Sequence, residues 1–119
     1  MTAQAAVPVP SRLVVVVDDD PAVRNSLKFS LEVEGFTVRD YSSANELLRE
    51  AEIADAGCLV IDYHLPEMNG LEVLSRLRER RVAAPAILIT SHPSASVRQR
   101  AAAAGVSIVE KPLFGNALV

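Results

Sequence analysis

The feature that most constrains the fold is a regular alternation between short apolar runs and segments with helical spacing. Most runs are continuous and rich in β-branched residues, as expected for strands covered on both faces. They lie at Leu13–Val17, Phe36–Tyr41, Cys58–Ile61, Ala86–Ile89 and Val106–Glu110. Since helical segments separate the runs, the chain is predicted to form a doubly wound α/β fold, a five-stranded parallel sheet with right-handed crossovers.

Local signals predict where the helices begin and end. Pro21 suits the first turn of a helix that stops at Gly35, and the preceding Asp20 is predicted to be its cap. Ser43 and Glu46 form a capping box that opens the second helix. The apolar positions at helical spacing include Val23, Leu27 and Leu31 in the first helix and Leu71, Leu74 and Leu77 in the third.

Length, charge and cysteine content exclude several classes of protein. A chain of 119 residues, 50% of them hydrophobic, holds one core and is too short for two domains. The net charge of -3 predicts no nucleic-acid binding by this segment, and no apolar run is long enough to span a membrane. Residues 1–11 do not resemble a signal peptide and are predicted to form a mobile arm. With Cys58 as the single cysteine, a reducing, cytoplasmic location is expected.

Polar residues follow four of the five runs. Asp18 and Asp19 follow the first, Asp62 the third, Thr90 the fourth and Lys111 the fifth. The carboxyl ends of parallel strands share one edge of a sheet, where ligands bind at the point at which strand order reverses. If the strand order is 2-1-3-4-5, the four strands with polar ends are consecutive. Three carboxylates, a hydroxyl and an ammonium group are then expected to converge in one cleft.

The chemistry of this cluster favours phosphoryl transfer. Carboxylates at such close spacing cannot all remain ionised without a cation, and a set of oxygen ligands suits Mg²⁺. A divalent cation and an ammonium group offset the charge that develops on a transferring phosphoryl group. Asp62 is the predicted nucleophile, because it lies alone between the acid pair and Lys111.

Four segments carry a resemblance to a known family. VVVVDDDP, VIDYHLPEMNG, ILITSH and VEKP resemble, in order and approximate spacing, the receiver domain of two-component response regulators. The resemblance covers residues 12–114 and is strongest to the nitrogen-fixation type, whose receivers control a DNA-binding output domain. It implies a receiver domain over residues 12–119 with a flavodoxin-like fold of strand order 2-1-3-4-5.

The resemblance also implies roles for the acidic residues. Asp62 would accept a phosphoryl group from a sensor histidine kinase, and the domain would then switch conformation to signal. Asp19, Asp62 and the backbone carbonyl of His64 would bind Mg²⁺, with Asp18 acting through water.

On the remaining strands, the resemblance implies that Thr90 contacts the phosphoryl group and that Lys111 pairs with it. The bond from Lys111 to Pro112 would be a cis peptide. The chain departs from the family at Ile108, where receivers usually carry an aromatic ring that swings inward on activation. The segment from Gly105 to Lys111 is also one residue shorter than expected.

Two other classes of function remain open from the sequence. Asp18 and Asp20 form a D-x-D after an apolar strand, which resembles phosphatases of the haloacid-dehalogenase type, although Ala22 stands where those enzymes carry threonine or valine. A third class is a receiver-like module that binds partners without being phosphorylated.

The C-terminal segment predicts an incomplete last layer. After Pro112 only Leu113–Val119 remain, so the fifth helix of a receiver is expected to be largely missing. An apolar patch between the fifth strand and the helix around Val23 to Leu31 is then expected to be covered by a continuation of the chain, such as an output domain, or by a second copy in a homodimer.

Overall fold

The protein is described by a computed structural model over residues 12–50 and 52–111. The strands are β1 (Leu13–Val17), β2 (Thr37–Tyr41), β3 (Cys58–Asp62), β4 (Ala86–Thr90) and β5 (Ser107–Glu110). They form one parallel sheet in the order β2-β1-β3-β4-β5, which confirms the predicted topology. The helices are α1 (Pro21–Val33), α2 (Ala44–Leu48), α3 (Gly70–Glu79) and α4 (Ala95–Ala103), with a 3₁₀ turn at Glu52–Asp55.

The side chains of β1 alternate between two apolar layers, one on each face of the sheet. Val14 and Val16 pack with Leu27 and Leu31 of α1 on the first face. Val15 and Val17 belong to a larger layer on the second face, which α2, α3 and α4 cover. The members that these three helices contribute are Ala44, Leu47, Leu71, Val73, Leu74, Leu77, Val97 and Ala101. Burial on both faces explains why β1 has no polar residue before its carboxyl end.

Helix starts follow the predicted caps. Asp20 accepts a hydrogen bond from the backbone N–H of Ala22 at 2.9 Å, and the Ser43 hydroxyl accepts one from Glu46 at 3.1 Å. The Glu46 carboxylate accepts from the N–H of Ser42, one residue before the cap, at 2.9 Å. The bonds to Asp20 and Ser43 satisfy N–H groups that the helix starts would otherwise leave without a partner.

Two strands are one residue longer than their apolar runs. β3 ends at Asp62 and β4 ends at Thr90, because the backbones of these residues still pair with neighbouring strands. In contrast, β5 begins at Ser107, since the N–H of Val106 instead bonds the Ala101 carbonyl at the end of α4. The polar side chains at Asp62 and Thr90 therefore stand on strand backbone rather than on a loop.

Three sequence predictions fall outside the described residues. These are the mobile arm at 1–11, the shortened fifth helix and the cis bond between Lys111 and Pro112. Within the described part of the chain, no helix has the length and apolar content to cross a bilayer.

Candidate functional site

Three carboxylates meet at the carboxyl edge of the sheet. Asp18 and Asp62 are buried beyond β1 and at the end of β3, whereas Asp19 is exposed. One oxygen from each of the three lies within 4.8 Å of the others. The predicted convergence of these acids is therefore present.

Asp18 is the completely buried acid of the three. Its Oδ1 accepts a hydrogen bond from the N–H of Asp20 at 2.9 Å, while its buried Oδ2 has no hydrogen-bond partner in the described structure. Burial raises the pKa of Asp18 to about 6, against the opposing effect of the Asp20 hydrogen bond. The carboxylate is thus held in an environment that disfavours its charge unless a cation is close.

Lys111 provides the nearest cationic group to the acids. Its Nζ lies 3.1 Å from Asp62 Oδ2 and 3.4 Å from Asp18 Oδ2, the second without hydrogen-bond geometry. Its backbone N–H donates to the Thr90 carbonyl at 2.9 Å, which fixes Lys111 beside β4. Burial by itself lowers the pKa of Lys111, but the hydrogen bond and charge of Asp62 and the charge of Asp18 raise it overall.

The loop after β3 orients the other side of Asp62. Asp62 Oδ1 accepts a hydrogen bond from the N–H of His64 at 3.1 Å. The loop then returns to the strand, where the N–H of Gly70 donates to the Tyr63 carbonyl at 2.8 Å. A Cβ at Gly70 would lie 2.6 Å from the Asp62 carbonyl oxygen, so only glycine allows this approach. The His64 side chain is exposed and contacts the Tyr63 ring edge-on.

Thr90 and Asp20 differ in their relation to the acids. Thr90 is buried at the end of β4, and its hydroxyl donates to the Ser91 carbonyl at 3.4 Å rather than to a carboxylate. Asp20 caps α1 and is not among the clustered acids. The phosphatase interpretation, which needs Asp18 and Asp20 in one site, is therefore not supported.

The donor set fits a hard divalent cation. It consists of carboxylate oxygens, the type of ligand that Mg²⁺ prefers, and Asp19 is open to solvent, which suits an ion that keeps several waters. The buried Asp18 Oδ2, without a hydrogen-bond partner in the described structure, is an acceptor that a cation or its water would satisfy.

Arg24 lies beside the acids and was not among the site residues predicted from the sequence. Arg24 Nη1 donates to the backbone carbonyl of Asp18 at 2.8 Å, and its Nε donates to Asp40 Oδ2 of β2 at 3.1 Å. A weak signal existed, because Arg24 and Lys28 are four residues apart on one face of α1 and Asp40 is an acid in a predicted strand. The contact with the Asp18 backbone carbonyl cannot be predicted from residue types, because every residue has such a carbonyl.

Comparison with known families now defines the class of protein. A model of the response regulator receiver domain matches residues 14–119, and the chain belongs to this family. The FixJ transcriptional regulatory protein of Rhizobium meliloti is 36% identical over 105 residues, which cover 87% of this chain and 52% of FixJ. The C4-dicarboxylate transport regulatory protein DctR of Rhodobacter capsulatus is 33% identical, with 87% of this chain and 54% of DctR covered. The chain thus spans about half the length of these relatives.

Solved structures agree with this fold. The FixJ-N crystal structure is similar to this chain with a TM-score of 0.78 and 36% identity, covering 89% of this chain and 86% of that one. The chemotaxis protein CheY4 of Vibrio cholerae has a TM-score of 0.82 at 24% identity, covering 91% and 92% of the two chains, and shows the fold alone. The flavodoxin-like sheet predicted from the sequence is confirmed.

Proposed function

We propose that this receiver accepts a phosphoryl group on Asp62 in a Mg²⁺-dependent reaction and changes conformation as a result. The observation that carries the proposal is the position of Asp62, with Lys111 Nζ at 3.1 Å and the oxygens of Asp18 and Asp19 in the same 4.8 Å cluster. A carboxylate nucleophile beside a fixed ammonium group and a cation site has the parts that phosphoryl transfer needs.

In the proposed reaction, an oxygen of Asp62 attacks phosphorus. The new P–O bond forms as the bond from phosphorus to the donor's nitrogen or oxygen breaks, and the leaving group takes the electron pair. A nitrogen leaving group such as imidazole also takes a proton from solvent, because the attacking carboxylate has none to give. Lys111 offsets the charge on the transferred group, because its ammonium is already held at the Asp62 carboxylate. Thr90, at the end of the adjacent strand, is the proposed hydroxyl donor to the phosphoryl oxygens.

The proposed metal ligands are Asp19, Asp62 and the His64 backbone carbonyl, with Asp18 acting through water. Bound Mg²⁺ would supply positive charge opposite the phosphoryl oxygens. The loop contact from the His64 N–H to Asp62 supports this set, because it brings the His64 backbone beside the carboxylate.

The proposed partners follow from the family. A phosphohistidine of a sensor histidine kinase is the expected donor, and an output domain in a longer chain is the expected target. Relatives such as FixJ and DctR are transcriptional regulatory proteins about twice as long as the part matched here.

Phosphorylation by a small donor tests the proposal. Incubation with acetyl phosphate or phosphoramidate and Mg²⁺ should add the mass of one phosphoryl group, measured on the intact protein. Asp62→Asn should abolish the addition, and so should chelation of the metal.

Asp20→Asn is the matched control. It alters an adjacent acid but preserves the helix cap, because asparagine caps helices as well as aspartate does. This variant should gain the phosphoryl mass like the natural protein. No mass gain together with no Mg²⁺ binding would instead support a receiver-like module that works without phosphorylation.

A further inference from the structure

Arg24 joins three parts of the molecule near the acidic cluster. Its backbone N–H donates to the Asp20 carbonyl at 3.0 Å as part of the first turn of α1. Its side chain, only 17% exposed, donates from Nη1 to the Asp18 carbonyl at 2.8 Å and from Nε to Asp40 Oδ2 at 3.1 Å. Arg24 therefore connects the loop that carries Asp18 and Asp19 to the neighbouring strand β2.

These bonds hold Asp18 from both of its ends. Arg24 fixes the backbone carbonyl, and the Asp20 N–H fixes Oδ1 of the side chain. Because the backbone carbonyl and Oδ1 of Asp18 are both hydrogen-bonded, its position is fixed with Oδ2 directed toward Lys111 Nζ at 3.4 Å. The direction in which Oδ2 faces the cluster thus depends on a contact made outside the cluster.

The guanidinium group suits this task for a geometric reason. Its N–H donors lie in one rigid plane, so two bonds to different elements fix the spacing between them. Asp40 is held in turn, since Lys28 Nζ lies 3.7 Å from its other oxygen. By charge alone, a cation so close to the acids would oppose the binding of a second cation. Any favourable effect of Arg24 on cation binding would therefore come from position rather than from charge.

We propose that Arg24, anchored by Asp40, is a positioning residue that holds the Asp18–Asp19 loop in the conformation that binds the divalent cation. This rests on the proposed function, in which that cation is Mg²⁺. Neither Arg24 nor Asp40 is proposed to touch the cation or the phosphoryl group. β2, the one strand without a reactive residue at its end, contributes to the site through Asp40.

The Mg²⁺ dissociation constant tests this proposal without requiring phosphorylation. Amide chemical shifts of the full chain are followed during titration with MgCl₂ at constant ionic strength. Arg24→Ala should weaken binding about tenfold, the lower end of the effect of residues that support metal ligands. Arg24→Lys should also weaken it, because lysine keeps the charge but cannot bond both partners with a planar fork.

The direction in which Mg²⁺ affinity changes distinguishes a positioning role of Arg24 from an effect of its charge. If Arg24 acted only through its charge, Arg24→Ala would tighten Mg²⁺ binding and Arg24→Lys would leave it unchanged. In the double variant Arg24→Ala/Asp40→Ala, the proposal expects the same affinity as in Arg24→Ala alone. If the two residues acted independently through their charges, loss of Arg24 would strengthen Mg²⁺ binding and loss of Asp40 would weaken it. These effects would largely cancel, and the double variant would bind Mg²⁺ about as well as the natural protein.

Arg78→Ala is the matched control for a general loss of stability. Arg78 is also half-buried and donates to two backbone carbonyls, those of Val82 at 2.8 Å and Ala84 at 2.7 Å, at the opposite edge of the sheet. This variant should leave the Mg²⁺ affinity within about twofold of the natural value, a difference well below the tenfold expected above.

Three results would overturn the proposal. They are tighter or unchanged binding in Arg24→Ala, unchanged binding in Arg24→Lys, and equal weakening in Arg78→Ala. Absence of Mg²⁺ binding by the natural protein would overturn the metal site itself and this inference with it. Normal Mg²⁺ binding without phosphoryl transfer would refute the proposed function while leaving the positioning role of Arg24 in place.

Discussion

At the residue scale, burial disfavours the charged form of the Asp18 carboxylate. This carboxylate is completely buried, and one oxygen has no hydrogen-bond partner among the described residues. A buried carboxylate destabilises the fold when it is charged, because burial removes its hydration. A natural protein retains this arrangement when a ligand supplies the missing partner.

We predict that Asp18→Asn stabilises the metal-free protein at neutral pH. Burial raises the pKa of Asp18 to about 6 from an ordinary value of 3.8, so the folded state loses relative stability as the pH rises through this range. Below the lower value Asp18 is neutral in both states and the two proteins should be similarly stable. At pH 7 the variant should melt at least about 4 °C higher, the shift given by ~1 kcal/mol in a small domain.

Thermal melts in a chelating buffer between pH 3.5 and pH 7.5 measure this difference. Asp20→Asn serves as the control. The difference between its melting temperature and that of the natural protein should not grow as the pH rises. A constant difference between Asp18→Asn and the natural protein across the range would contradict the burial of a charged Asp18.

At the element scale, β4, α4 and β5 form a connected unit beside Asp62. The Lys111 N–H bonds the Thr90 carbonyl at 2.9 Å, and Arg98 of α4 pairs with Glu110 of β5 at 2.6 Å. Ile108 is half-buried and packs against the larger apolar layer. A branched aliphatic side chain in this position has no ring to swing between exposed and buried orientations.

We predict that activation moves the segment from Thr90 to Ser94 and helix α4 without a rotamer change at Ile108. Thr90 and Lys111 are joined through the backbone, so a change at either is transmitted to α4. Beryllofluoride with Mg²⁺, a mimic of the phosphoryl group, should shift the amides of this segment and leave the Ile108 methyl shifts nearly unchanged. Asp62→Asn should show no such shifts. Large changes confined to Ile108, with the Thr90 segment unmoved, would refute this switch.

At the scale of the whole molecule, the proposed cation binding would be coupled to folding. A ligand that binds only the folded state stabilises it by mass action, by about 2.7 kcal/mol at a hundredfold excess over its dissociation constant. Three acids in one cluster make the metal-free fold the less stable form.

We predict that millimolar Mg²⁺ raises the melting temperature of the natural protein but not that of Asp19→Asn. Asp19→Asn should relieve like-charge repulsion in the metal-free protein, and it removes a proposed ligand of the cation. Asp20→Asn should keep the full rise, and NaCl at matched ionic strength should not reproduce it. An equal rise in Asp19→Asn would show that Mg²⁺ acts elsewhere on the molecule.

The outer face of α1 carries two exposed large apolar side chains. Phe29 and Val33, one helical turn apart, are 70% and 66% exposed. The patch predicted between the fifth strand and α1 is a different surface, because Leu27 and Leu31 are buried and the chain after Lys111 lies outside the described residues. That patch, and the homodimer suggested for it, stay predictions.

The sequence by itself determined the elements and most of their ends. Asp20 and Ser43 are recognisable as helix caps from the sequence, because a cap bonds N–H groups only two or three residues further along. The apolar runs determined the strands, because a parallel strand buried on both faces needs continuous apolar residues. Their polar ends predicted which residues gather at one edge, since all strands of a parallel sheet point the same way.

Only the tertiary structure decided how the gathered residues meet. It placed Lys111 Nζ between Asp62 and Asp18, left Asp18 Oδ2 without a hydrogen bond, and turned the Thr90 hydroxyl toward Ser91. It also showed the contacts of Arg24, whose partners lie 6 and 16 residues away. These contacts depend on strand register and on the path of loops in space, which residue spacing along the chain does not encode.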